Sequence, residues 1–208
     1  VLRDECELVG AGVGGGDVVR SDVLTLAVTA LGDLQGRAPG GRSGARAGDV
    51  VAFAGRLGWS AAGLAALRKG FRTPRAVVDA HRRPEPPYLQ GPVAARAGAT
   101  SMIDVSDGLV ADLGHVAVAS GVRIEMNRAS FEVSAPVTEV AAALGADPFD
   151  WVLGGGEDHA LAATFTSSTA VPDGWRVIGE VTAHDGGGEV LVDGKPYPTG
   201  GFDHFGPP

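Results

Sequence analysis

The chain has 208 residues, 44% hydrophobic and 20% charged, so it can bury a core and is not disordered in bulk. Its formal net charge of −8 argues against nucleic acid or an anionic membrane as main partner, yet phosphates remain bindable through a metal ion or local arginine and amide groups. The single cysteine, Cys6, excludes an internal disulfide framework and suits the cytoplasm, and no apolar run is long enough to span a bilayer.

Leu2, Cys6 and Val9 stand at helical spacing, which predicts a helix over 2–9 with Cys6 in the core. "GVGGGD" (12–17) ends it, and the alternation in "VLTLAVTAL" (23–31) predicts a strand. The Gly/Arg/Pro segment 32–49 has no apolar period and reads as a loop and domain boundary. A buried strand follows at 49–55, then a helix over 59–70 with Ser60 as N-cap and Gly70 as stop. The helix predicted over 73–83 ends at "PEPP" (84–87), because proline cannot continue it.

A strand then runs into Asp104, and Leu109, Val110, Leu113, Val116 and Ala117 mark one face of an amphipathic helix. Residues 122–127 alternate like a strand and 134–145 are helical. Strands are expected at 159–165 and 175–181, and a hairpin over 189–197 turns at Asp193-Gly194. Strands and helices mix throughout, so the class is α/β or α+β.

Four stretches could carry chemistry. In "IDVSDGL" (103–109), Asp104 and Ser106 share a side of an extended strand, Asp107 follows at the turn, and the helix behind offers free N–H groups. One reading is a capped helix, with Ser106 or Asp107 as the cap; the other is a Mg²⁺ site, since Mg²⁺ takes one or two carboxylates plus phosphates and waters. "GGGD" (14–17) is either a plain turn or a phosphate-approachable backbone with Asp17 as metal ligand; no lysine follows, so it is not a Walker loop. Arg42, between small residues, is either solvated or grips a phosphate bidentately. "GGGEDHAL" (154–161) either carries surface acids on a flexible loop or presents a carboxylate to a substrate. The five histidines show no metal-ligand spacing and read as structural.

"GGGDVVRSD", "RSGARAGDVV", "IDVSDGLVADLGH", "GGGEDHAL" and the terminal "GFDHF", in this order, resemble the thiamine-monophosphate kinase family of the aminoimidazole ribonucleotide synthetase-like superfamily, from about residue 2 to 205. The resemblance implies ATP-dependent phosphorylation of thiamine monophosphate to thiamine diphosphate, with several Mg²⁺ ions and no acid/base residue. It implies that Asp17, Asp104 and Asp107 bind Mg²⁺, that Gly16, Asp17, Arg42 and Ser106 contact ATP, and that Glu157 faces the thiamine moiety. Thr199 stands where some members place an aromatic, and Tyr197 is its possible substitute. His159 stands where members often have Tyr, and "PEPPY" lacks the arginine that often follows.

The family's N-terminal half is not represented, so the expectation is a majority fragment, inactive alone. Residues 1–36 would be the tail of the ATP-binding domain and 37–208 the complete C-terminal α/β domain, from a protein that is a homodimer at full length. Two alternatives remain: another ATP-dependent synthetase of the superfamily, or a non-catalytic ligand-binding or assembly module on the same fold. "GGED" with "DHF" favours the kinase.

Overall fold

The computed structural model describes residues 2–197 and divides them between two units, Val1–Pro39 and Gly40–Pro208. Thr199 and the "GFDHF" stretch lie outside the described residues.

The first unit holds one short helix, α1 (Leu2–Leu8), in which no residue is fully buried. Cys6 is half-buried, so the core position expected for it is not realised. The strand expected at 23–31 does not form either. A strand needs a neighbour for its backbone N–H and C=O groups, and this unit supplies none. The alternation that suggested it leaves Leu24 and Leu26 91% and 84% exposed.

The second unit is a mixed sheet with helices around it. Its elements run β1 (Val50–Ala54), α2 (Trp59–Arg68), α3 (Arg75–Arg82), α4 (Gln90–Arg96), β2 (Ser101–Val105), α5 (Leu109–Ser120) and β3 (Val122–Met126). They continue with α6 (Ala135–Leu144), α7 (Pro148–Gly154), β4 (Ala160–Phe165), β5 (Arg176–Ala183), β6 (Glu189–Val192) and β7 (Lys195–Pro196). The strand order is β2-β4-β1-β5-β3-β6-β7. All neighbours pair antiparallel except β3 with β6. The β6–β7 hairpin turns at Asp193-Gly194, both with positive φ, as the sequence predicts.

Alternation along the strands sorts side chains into two layers. Val51, Ile103, Val105, Ala160, Ala162, Ile124 and Ile178 face α5, whose Leu109, Leu113 and Val116 are almost fully buried against them. Ala52, Ala163 and Phe165 face the other way, onto Ala94 of α4 and Trp175. A third cluster joins α2, α3 and α6 through Ala62, Ala66, Val77, Val78, Val137 and Val140. Neither α4 nor α7 was expected: each is only seven residues long, too short for a hydrophobic period to declare itself.

The N-cap of α2 is Gly58, in the left-handed region, and no side chain of its own caps the helix. Ser60, expected as the cap, is a buried helical residue whose hydroxyl bonds His81 Nδ1 at 2.9 Å. Gly63 lets α2 meet α3: a Cβ there would press on Val77 O and lie 2.9 Å from His81 Cβ. Helix α5 offers the opposite case, because nothing lies within 4 Å of a Cβ at Gly114. We therefore expect two Gly→Ala changes of opposite sign in denaturant melts. Gly63→Ala should destabilise by about 1–3 kcal/mol through overpacking. Gly114→Ala should stabilise by about 0.5–1 kcal/mol through helix propensity.

Candidate active site

The junction between β2 and α5 is built around Asp112. This acid lies one turn into α5, is buried, and turns back toward the loop before the helix. Its Oδ2 accepts the N–H groups of Ser106, Asp107 and Gly108 at 3.0, 3.0 and 3.1 Å. Neither Ser106 nor Asp107 serves as the cap of α5; its N-cap residue is Gly108, without a side-chain cap bond. Burial pushes the Asp112 carboxyl up from its ordinary range, and the N–H bonds pull it back part of the way. Satisfying the loop amides through Asp112 leaves capping to neither Asp107 nor Ser106.

The "GGED" loop follows the same plan with a different acid. Asp158 is buried and accepts Trp59 N–H at 3.1 Å and Ser60 N–H at 2.8 Å, at the start of α2 about a hundred residues earlier. On either side, Glu157 (φ 66°) and His159 (φ 52°) adopt left-handed backbone that non-glycine residues rarely take. Glu157 is exposed, with His159 Nε2 3.9 Å from its Oε2. The arrangement buries one acid as an anchor and projects the other.

These two loops lie directly on one another. Glu157 N–H donates to Ser106 O at 2.8 Å. A Cβ on Gly156 would collide with Ser106 O, and one on Gly108 would lie 2.7 Å from Gly154 O. Gly108 also has φ 131°, so glycine is required there on two counts. The candidate stretches 103–109 and 154–161 thus lie against each other, carrying Ser106, Asp107 and Glu157.

Asp104 sits near the end of β2, paired with Leu161 of β4, and is exposed on the sheet face that also carries Met102. A cavity of about 380 Å³ opens beside it, walled by Pro87, Tyr88, Gly91, His159 and Leu161. His159, read as structural from sequence, therefore faces the same space as a candidate ligand. Arg42 is exposed on the 40–49 loop and lines a cavity of about 540 Å³ over the outer face of α5, with His115, Val118 and Tyr197. Tyr197 also donates to Asp150 Oδ1 of α7 at 3.3 Å. Gly16 and Asp17 belong to the first unit, where Asp17 Oδ1 accepts Val18 N–H at 2.8 Å.

Among the described residues, no group of three or more His, Cys, Asp or Glu side chains converges as a metal cage. Asp104 and Asp107 instead stand on either side of one short turn, where their carboxylates could supply hard oxygen ligands. That donor set suits Mg²⁺, which keeps waters and takes its remaining ligands from substrate phosphates. The sequence reading missed the anchoring roles of Asp112 and Asp158. A signal for the first was present, since an acid in the first turn of a helix can reach back to loop amides; none marked the second, whose partners are remote in sequence.

Residues 46–192 match the family described as AIR synthase related protein, C-terminal domain. The thiamine-monophosphate kinase of Halobacterium salinarum is 35% identical over 214 residues, covering 97% of this chain and 68% of that protein. The chain belongs to the AIR synthase related family, on its thiamine-monophosphate kinase branch. The thiamine-monophosphate kinase of Mycobacterium tuberculosis (strain ATCC 25618 / H37Rv) is 50% identical over 210 residues, 100% of this chain. The chain spans 62% of that relative's length. The AaThiL structure, complexed with AMPPCP and TMP, superposes with a TM-score of 0.73 at 34% identity, covering 80% of this chain and 54% of that one. The α/β class expected from the sequence is thus the fold of the thiamine-monophosphate kinases.

The Asp158 anchor makes a pH prediction. Burial, against the N–H bonds of Ser60, Gly58 and Trp59 and the nearby His159, raises this carboxyl from 3.8 to about 6. The folded protein then holds the proton more tightly than the unfolded chain. Its contribution to stability is full below about pH 4, falls as pH rises to about 6, and is flat above. The fall should be on the order of 2–3 kcal/mol. Denaturant melts of wild type and Asp158→Asn across pH 4–7 should differ by that slope; parallel profiles would contradict the assignment.

Proposed function

We propose that the complete protein transfers the γ-phosphoryl group of ATP to thiamine monophosphate, giving ADP and thiamine diphosphate. The observation that supports this reading is the lock between residues 104–109 and 154–159, in which the backbones carrying Asp107 and Glu157 lie against each other. Support comes from the solved AaThiL relative, complexed with an ATP analogue and TMP.

In the reaction, an oxygen of the acceptor phosphate forms a bond to the γ-phosphorus while the bond from that phosphorus to the β–γ bridging oxygen breaks. The acceptor is already an anion, so no side chain need remove a proton. The difficulty is electrostatic: two polyanions must be brought into line. Bound Mg²⁺ would supply the charge neutralisation. Several Mg²⁺ ions are expected, with Asp104 and Asp107 as ligands in the second unit and Asp17 as a ligand in the first. Gly16, Ser106 and Arg42 would orient the triphosphate, Arg42 through a bidentate fork. Glu157 would orient the thiamine moiety from its left-handed perch, and Tyr197 or Thr199 would complete that side.

The same reading makes residues 1–36 the tail of an ATP-binding domain and 37–208 the C-terminal domain. The unpaired apolar alternation of Leu24, Leu26 and Val28 supports this, since it is what a strand shows outside its sheet. A homodimer and a cytoplasmic location belong to the proposal too. Among the described residues no helix is long and apolar enough to cross a membrane.

The test is product formation by the complete protein from ATP, Mg²⁺ and thiamine monophosphate, followed by chromatography. Asp107→Asn should keep the fold, costing about 1 kcal/mol or less, and lose most of kcat. Wild type that binds ATP and forms no thiamine diphosphate would refute the acceptor. An unchanged kcat for Asp107→Asn at saturating Mg²⁺ would refute the ligand role.

A further inference from the structure

The last helical residue of α5, Ser120, has its hydroxyl bound entirely to one distant segment. Its Oγ accepts Gly44 N–H at 3.2 Å and Ala45 N–H at 3.3 Å, and donates to Arg42 O at 3.3 Å. A serine hydroxyl has one proton to give and two lone pairs, so these three bonds use its whole capacity. All three go to residues 42–45, at least 75 positions away in sequence.

The rest of the segment is braced from the sheet side. Met102 N–H donates to Gly41 O at 2.9 Å. Asp49 Oδ2 accepts Arg46 N–H at 3.0 Å and the Thr100 hydroxyl at 2.6 Å. Gly44, with φ 138°, runs so close to Thr100 O that a Cβ would collide with it. These braces hold the segment at Gly41, Gly44 and Arg46. Ser120 alone among them bonds the backbone of Arg42 itself and the amides of Gly44 and Ala45 just after it.

Helix α5 therefore carries a fixed element at each end. The acid loop, tied by Asp112, lies at its N-terminus, and the Arg42 turn, tied by Ser120, at its C-terminus. Between them runs the cavity of about 540 Å³ that Arg42 shares with Gly114, His115 and Val118 on the helix surface. A long, exposed arginine is useful to a polyphosphate only if its stem starts from a fixed point, because otherwise ordering it offsets the gain from the ion pair.

We infer that Ser120 is a positioning residue for nucleotide binding: it fixes the Arg42–Ala45 backbone so that the Arg42 guanidinium addresses the phosphates of ATP over the outer face of α5. The inference rests on the phosphoryl-transfer reading for the identity of the nucleotide, but its test does not need the acceptor.

Binding of a non-hydrolysable ATP analogue with Mg²⁺ to the complete protein, read by calorimetry, tests it through a double-mutant cycle. Ser120→Ala should weaken binding about 5- to 10-fold, the scale of one or two lost hydrogen bonds. Ser120→Thr, which keeps the hydroxyl, should restore most of it. In an Arg42→Ala background, Ser120→Ala should change binding less than twofold, because the group it positions is gone. The KM for thiamine monophosphate should stay within twofold of wild type in every Ser120 variant. Unchanged affinity in Ser120→Ala, or an equal loss with and without Arg42, would overturn the inference. If Ser120→Ala lowers affinity only in step with a collapse of the thermal midpoint that Ser120→Thr does not repair, the residue is structural and the inference also fails. Wild type that binds the analogue but does not phosphorylate thiamine monophosphate would sink the acceptor assignment and leave the Ser120 result standing.

Discussion

The site depends on backbone lying against backbone. Ser106 O meets Glu157 N–H, and Gly108 and Gly156 leave no room for a Cβ between the two loops. Such contact requires the amides on both sides to be satisfied from elsewhere, since a buried unpaired N–H is costly. One buried carboxylate does this for the first loop, and a second ties the other loop to α2. Asp112 collects the amides of 106–108, and Asp158 collects those opening α2. The acids of this region therefore divide by burial. Asp112 and Asp158 are buried on the protein's own amides, whereas Asp104 and Glu157 are exposed and Asp107 is half-buried.

Much of this was legible in the sequence. A strand ending near Asp104 and an apolar face at Leu109, Leu113 and Val116 are local signals, and both elements form where their periods place them. The Asp193-Gly194 turn is equally local. The motifs over 103–109 and 154–161 also name two segments that the structure brings together, because glycine next to acid is a demand for close approach that sequence displays directly. What failed depends mostly on a remote partner. Ser60 has the chemistry of a cap, yet Asp158, 98 residues later, takes the amide. Ser106 and Asp107 have it too, and there the competitor is local: Asp112, in the first turn of α5, takes the loop amides. The alternation over 23–31 is genuine, but alternation creates a strand only where a neighbour accepts its hydrogen bonds.

The helical layer of α2, α3 and α6 gains a role from the same anchor. Its core is small and apolar, with Ala62, Val77 and Val137 fully buried. Through Trp59 and Ser60 it also fixes Asp158, and through Asp158 it fixes the left-handed residues on either side. Changes in that layer far from Glu157 would reach it by way of the α2 N-terminus, a route made of two hydrogen bonds.

Strand β2 is an outer strand of the sheet among the described residues, and Gly41 O accepts Met102 N–H from beyond it. Outer strands invite pairing with other chains, and proteins commonly deter this with a charge placed on them. Asp104 is such a charge, exposed four residues into the strand. One carboxylate thereby serves solubility as well as the proposed chemistry. A charge-removing substitution here tests two properties at once, and insoluble protein would be a consequence of sheet geometry, separate from any loss of a metal ligand.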